Sequence, residues 1–317
     1  MASPSIVIAG SVLVDKLYEI AEYPNAGELT QIRSISRAPG GCVPNVAIDL
    51  KRFAPELNVC AAGNVGQDED GGFAVAAMAR NGVDVKQVHF APDRTSFTDV
   101  MSVPGRERTF FTYPGASAGW GYYDFDFDRV REGDMVHLGY FLLLAKVDAG
   151  DGLKILKELK RRGAVTSIDL VTENSDRYAL VRECLPFVDN LIVNEIEAER
   201  LSGVAPGTDL RVTCEALRAG GVKDRVVVHL PQKGVCLSPR GWCEMPSVKL
   251  PPSAIKGKTG AGDAFCAGAL AGIARGQADE EILDLGAVAA VGAMRAPGAT
   301  DGVQTEKELR EYVGQFE

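Results

Sequence analysis

Apolar residues fall along the chain in two alternating rhythms. Short runs rich in β-branched residues at 6–10, 59–62, 135–138, 165–168, 191–193 and 225–229 lack the polar alternation of a half-exposed strand. They read as strands buried on both faces. Between them, Leu153, Leu156 and Leu159 recur at three-residue spacing with Lys and Arg opposite, which predicts a helix over 151–162. Segments 71–81, 176–185, 209–219 and 261–274 read the same way. Strand and helix in turn predict an α/β fold, a doubly wound, mostly parallel sheet flanked by helices.

Two stretches break that rhythm, 13–37 and 95–113. In the second, two β-rich runs flank Pro104-Gly105, a hairpin signal. Both follow early strands, so a small antiparallel sheet is expected to project from the main body and cover a site. The chain then reads as one domain over 1–317 with a lid subdomain drawn from about 13–37 and 95–113, with no linker or repeat to divide it further. Phe97, Phe110 and Tyr113 are expected either to face the cleft under the lid or to pair two subunits as a homodimer, because the edges of an exposed small sheet need cover.

Composition narrows the partners. With 317 residues, 46% of them hydrophobic, the chain can bury a large core. A net charge of -9, from 43 acidic and 34 basic residues, offers no field for holding nucleic acid. No apolar run approaches the roughly 18 residues of a membrane span. The first ten residues lack a basic segment and cleavage site, so a cytoplasmic protein is expected. Seven scattered cysteines without a C-x-x-C pair read as packed thiols, and three distant histidines (His89, His137, His229) match no zinc spacing.

The chemistry concentrates in glycine-rich segments. Lys258-Thr259-Gly260-Ala261-Gly262-Asp263 stands where a loop becomes a small-residue helix. A helix start offers unpaired N–H groups and a positive dipole end, and glycines let a polyanion approach the backbone. Asp263, in the first turn, could take a proton from an attacking hydroxyl. The plainer reading is a helix opening with glycines for packing and Asp263 facing the dipole. Gly40-Gly41, followed by Asn45, precede another helix and can lay amides against a polyhydroxylated ligand, and Asp15 adds a carboxylate beyond the first strand, at the edge where α/β sheets bind ligands. Each also reads as ordinary loop or turn.

The ordered set G-x-x-x-x-D (Gly10 to Asp15), G-G-x-x-x-N (Gly40 to Asn45), N-x-x-E (Asn194 to Glu197), K-G (Lys233-Gly234) and T-G-A-G-D (Thr259 to Asp263) resembles the ribokinase-like (PfkB-type) carbohydrate kinases over essentially the whole chain. The resemblance implies an ATP-dependent kinase that phosphorylates a hydroxyl of a sugar or sugar-like substrate. Asp263 would be the base, with Gly260, Ala261 and Gly262 as the anion hole. Asp15, Gly40, Gly41 and Asn45 would hold substrate hydroxyls. Asn194, Lys233, Gly234 and Thr259 would serve ATP, with Glu197 and Asn194 organising Mg²⁺ through water. Asn194 and Glu197 also suit a helix cap.

Two departures stand out. The nucleotide-side segment, usually T-x-G-x-x-G, is His229-Leu230-Pro231-Gln232-Lys233-Gly234, and proline removes a donor there. Gly257-Lys258 replaces the usual D-T, which leaves open whether K⁺ has any part and whether Lys258 supplies charge or is a solvated loop lysine. A nucleoside kinase on the same scaffold, or a regulatory protein that binds sugar or nucleotide without turnover, remain the alternatives.

Overall fold

The computed structural model describes residues 4–173 and 175–316. The chain runs β1 (Ser5–Ala9), β2 (Leu13–Ile20), β3 (Ile32–Gly40), α1 (Cys42–Phe53), β4 (Asn58–Gly66), α2 (Glu69–Arg80), β5 (Asp84–Ala91), β6 (Ser96–Ser102), β7 (Thr109–Tyr113) and a single turn, α3 (Gly115–Ala118). It continues through β8 (Met135–Phe141), α4 (Gly152–Arg161), β9 (Val165–Leu170), α5 (Tyr178–Arg182), β10 (Asn190–Asn194), α6 (Glu195–Ser202) and α7 (Leu210–Ala219). The last elements are β11 (Arg225–His229), β12 (Lys233–Ser238), β13 (Gly241–Pro246), α8 (Ala261–Ala274), α9 (Asp279–Met294) and α10 (Glu306–Val313).

Nine strands form one sheet in the order β13-β12-β11-β10-β9-β8-β1-β4-β5. Pairing is parallel from β5 to β11, and the β12 and β13 edge is antiparallel. Alternate strand residues feed opposite cores. Ile6, Ile8, Ile192 and Val227 pack with α1, α8 and α9, while Val7, Ala9, Leu191, Val193, Val226 and Val228 pack with α4, α6 and α7. Helices on both faces explain why these strands carry apolar residues without alternation. The chain leaves β1 toward β4 on one side and later enters β8 on the other, so the order reverses beside β1, where α/β sheets open a crevice.

The two insertions form the expected separate sheet, in the order β3-β2-β6-β7. Its outer pairings are antiparallel and its central β2/β6 pairing is parallel. It is longer than the 13–37 insertion suggested, because β3 runs on to Gly40 and delivers the chain straight into α1. Lys16 and Arg37 reach Asp70 and Glu69 on α2 at 2.7 and 2.8 Å, tying the sheet to the main body. Ile32, Ile35, Phe110 and Phe111 of this sheet are exposed. One helix fell short: the 176–185 segment is helical only over α5, and Pro186 closes the remainder as a short 3₁₀ turn because its ring cannot continue a helix. Among the described residues no helix is long and apolar enough to cross a membrane.

Candidate active site

Helix α8 brings Asp263 to the sheet. Its small residues let it press against α9, where a Cβ on Gly268 would lie 2.3 Å from the Leu285 carbonyl oxygen, so the helix axis has almost no freedom to shift. At its start Gly260 adopts φ 77°, and a Cβ there would meet Ala299 at 2.6 to 2.7 Å; both the conformation and the space demand glycine. The first-turn amides of α8 have no partner further up the helix. The Ala261 N–H leans on Lys258 O at 3.3 Å, a long bond from which a phosphoryl oxygen could take it.

Asp263 is 9% exposed. Its Oδ2 accepts from Asn45 Nδ2 at 2.9 Å, and the Tyr140 hydroxyl donates to Oδ1 and Oδ2 at 3.0 and 3.1 Å. Burial, and then the neighbouring Asp169 carboxylate, push Asp263 up to about 7, against the opposing pull of those two donors. A carboxyl so placed titrates near neutral pH, where a general base is most effective. Tyr140 is itself held by its N–H to Asp169 Oδ1 at 2.5 Å, with φ 59°, a conformation uncommon for a non-glycine residue. Its own phenol is driven well above the usual range by burial and Asp263, so it remains a donor.

A cavity of about 270 Å³ opens at this point, lined by Tyr140, Asp169, Thr172, Asn194, Glu197, His229, Gly260, Gly262 and Asp263 among others. Asn194 and Glu197 form a reciprocal cap at the start of α6. Asn194 Oδ1 accepts from Glu197 N at 2.9 Å, and Glu197 Oε2 accepts from Asn194 N at 3.0 Å. Glu197 Oε1 accepts from Thr172 Oγ1 at 2.7 Å, and burial pushes this carboxyl up to about 7. Such an under-compensated carboxylate, with Asp169 on the same wall, is the oxygen chemistry that a largely hydrated Mg²⁺ fits. His229 stands where the motif usually has Thr; its ring lies against Phe265 and desolvation pulls it down to about 4, so it is neutral.

The residues expected to hold substrate hydroxyls gather at the start of α1. Gly40 ends β3 against Asp15, and a Cβ there would fall 2.6 Å from Asp15 Oδ2, so glycine is what lets the carboxylate lie along the loop. Burial raises Asp15 to about 6, offset in part by Arg108. Gly41 caps α1 with φ 84°. Asn45, one turn on, joins this loop to Asp263. The small sheet reaches the other bank: Arg108, between β6 and β7, donates to Thr259 Oγ1 at 2.9 Å. Together with Arg106, Phe110 and Lys258 they line a second cavity of about 260 Å³.

Lys233 and Gly234 are not brought into these cavities. The Lys233 ammonium pairs with Glu244 on β13 at 2.5 Å, and Gly234 sits beside Phe265 and Leu283. Pro231 is accommodated without loss: Leu230 N bonds Lys233 O at 2.9 Å, closing a turn in which proline holds the second position, whose N–H is not needed. Tyr140, Asp169, Thr172 and Arg108 were not singled out from the sequence. Tyr140 and Asp169 belong to the ends of β8 and β9, and the rule that ligands gather at the carboxyl edge of the strands could have flagged them.

Comparison with known proteins finds relatives that share this fold. An Arabidopsis thaliana ribokinase is 26% identical over 321 residues, covering 97% of this chain and 80% of that protein. The structure of an Arabidopsis thaliana ribokinase complexed with ribose and ATP superposes with TM-score 0.83 at 23% identity, over 98% of this chain and 99% of that one. A nucleoside kinase from Methanocaldococcus jannaschii does so with TM-score 0.78 at 19% identity, over 99% and 100%. The pfkB family carbohydrate kinase profile matches residues 3–306. With that match over nearly its whole length, and with an aspartate seated at a glycine-lined helix start, the chain belongs to the pfkB family of carbohydrate kinases.

Proposed function

We propose that this kinase transfers the γ-phosphoryl group of ATP in line to a hydroxymethyl group of a sugar, or of the ribosyl part of a nucleoside. The observation that carries the reading is Asp263, buried in the first turn of α8, bridged to the Gly40–Asn45 loop through Asn45 and raised to about 7. Asp263 draws off the hydroxyl proton, and Tyr140 and Asn45 hold its carboxylate in place for that transfer. Amides of Gly260, Ala261 and Gly262 meet the charge that develops on the phosphoryl oxygens. Asp15, Gly40, Gly41 and Asn45 hold the acceptor's hydroxyls, since a carboxylate and a side-chain amide accept and donate to vicinal OH groups.

Asn194 and Thr259 are assigned to the nucleotide's phosphate side, with Lys233 and Gly234, next to His229, further along the same side. Mg²⁺ would be held through water by Glu197 and Asn194 and supplies charge neutralisation when bound. The small sheet serves as a lid that excludes water, a competing acceptor, and the Arg108 contact with Thr259 supports that role. Its exposed Ile32, Ile35, Phe110 and Phe111 suit cover by a second copy in a homodimer. Seven free thiols are consistent with action in the cytoplasm.

The test is a panel of sugars and nucleosides scored for substrate-dependent ADP formation, alongside Asp263→Asn. An active acceptor, with turnover reduced by about 10² or more in the variant, is expected. No turnover with any acceptor, despite ATP and sugar binding, would favour the regulatory alternative. Near-normal turnover of Asp263→Asn would remove Asp263 as the base.

A further inference from the structure

Below the Asp263 carboxyl, four residues from four elements converge in the protein interior. Cys42 opens α1, His137 lies in the middle of β8, Asp169 is near the end of β9, and Cys266 lies on α8 just beyond Asp263. All four are buried, at 0%, 0%, 7% and 2% exposure. One ligand atom each from Cys42, His137 and Asp169 falls within a common 4.8 Å. His137 Nε2 lies 3.4 Å from Asp169 Oδ2 and 3.6 Å from Cys266 Sγ. Metal–ligand bonds of 2.0 to 2.3 Å in a tetrahedral zinc site put neighbouring ligand atoms about 3.3 to 3.8 Å apart, so those two separations already match, and the 4.8 Å bound on Cys42, His137 and Asp169 lies about 1 Å above that range.

The surroundings fit too. Ser167 Oγ is 3.0 Å from His137 Nδ1 and fixes the ring so that Nε2 faces the cluster, and Tyr140 N holds the other oxygen of Asp169. These are the outer contacts that orient ligands in metal centres. Asp169 and Cys266 also line the active-site cavity, which provides an entry path. We propose that Cys42, His137, Asp169 and Cys266 form a binding site for one soft divalent cation of the zinc class, separate from any Mg²⁺ held with the nucleotide.

Charge bookkeeping favours the site. Burial and Asp169 hold both thiols protonated when the site is empty. Two neutral thiols and one carboxylate carry one negative charge; a dication with two thiolates and that carboxylate also carries one, the two displaced protons leaving to solvent. Filling the site therefore leaves the net charge of the interior unchanged, and because two thiol protons must be displaced, binding strengthens as pH rises. Occupancy would fasten the Gly40–Asn45 helix to the helix bearing Asp263.

The test is titration of the reduced, chelator-treated full-length protein with Co²⁺ and Zn²⁺. One equivalent of Co²⁺ per chain is expected, with thiolate-to-cobalt charge-transfer absorption and the d–d bands of tetrahedral cobalt, both displaced by Zn²⁺. Cys266→Ser and His137→Gln, checked for folding by circular dichroism, should lose the charge-transfer intensity or weaken binding at least tenfold, and Cys214→Ser, a buried thiol elsewhere, should retain it. Absence of a charge-transfer band in the folded wild type at excess Co²⁺ would overturn the proposal. So would a band of unchanged intensity and affinity in both cluster variants.

Discussion

Replacing Tyr140 by phenylalanine would remove one hydroxyl that donates to both oxygens of Asp263 while leaving the ring that fills the space. That hydroxyl favours the ionised carboxylate, so its loss must raise the pKa of Asp263 further. A hydrogen bond to a charged group contributes roughly 1.5–3 kcal/mol, and the adjoining cavity can admit water as a partial substitute, so the lower figure applies. At about 1.4 kcal/mol per unit, this is a rise of about one unit, from about 7 to about 8. The ionised fraction at pH 7 then falls from about one half to about one tenth, lowering kcat/KM roughly fivefold. By pH 9 both proteins are largely ionised and should agree within about twofold. The assay is the pH profile of kcat/KM from 5.5 to 9.5 at fixed ionic strength. An acid limb that does not move, or a variant equally depressed at every pH, would refute the view that Tyr140 acts through the carboxylate of Asp263.

Three further outcomes are expected. Arg108→Ala, which cuts the lid's contact with Thr259, should lower kcat/KM for the acceptor about tenfold, the scale of one partly exposed charge-assisted bond, while raising acceptor-independent ATP hydrolysis; neither change would discount the lid. Asp15, Glu197 and Asp263 all have folded pKa values above their unfolded ones, about 6, 7 and 7, so the folded state binds protons the unfolded chain has released. Stability of the ligand-free protein should therefore fall as pH rises from about 5.5 to 7.5, above the range in which the depressed carboxyls of Glu56, Glu158, Glu173 and Glu306 gain stability with pH, and with the depressed His229 opposing it below about 6.5. A Tm higher at pH 7.5 than at pH 5.5 would contradict this sum. Turnover should be largely independent of K⁺: Gly257 has no carboxylate to offer a hard cation, a side chain there would meet the Ala296 carbonyl oxygen at 2.9 Å, and Arg108 and Lys258 already line the adjoining cavity. Initial rates with K⁺ replaced by a bulky organic cation at fixed ionic strength measure it, and a large K⁺-specific stimulation would sink the idea.

What could be read from the sequence follows from how local each physical demand is. A strand covered on both faces is apolar along most of its length, so β1, β4, β8, β9, β10 and β11 announced themselves, as did α8, whose close packing admits only small residues, whereas the half-exposed edge strand β5 did not. The glycines at 41 and 260 were visible because left-handed backbone there favours nothing else, and Gly40 because a side chain would strike Asp15. Tyr140, Asp169 and Arg108 answer to no such local demand. A tyrosine inside an apolar run is unremarkable until β8 and β9 pair in parallel and set its hydroxyl over a carboxylate supplied 123 residues later. The parallel β2/β6 pairing was hidden for the same reason, since a sheet assembled from two insertions has no turn of its own to fix direction. The thiols make the point most sharply. Cys42 and Cys266 lie far apart in sequence and fit no ligand spacing, so each read as a packed thiol. The spacing that matters here is across the sheet, where adjoining β8 and β9 set His137 near Asp169 and the packed helices α1 and α8 each bring a sulfur. Sequence motifs for metals record ligands that share a turn or a helix, whereas a site drawn one residue at a time from four elements leaves no such trace.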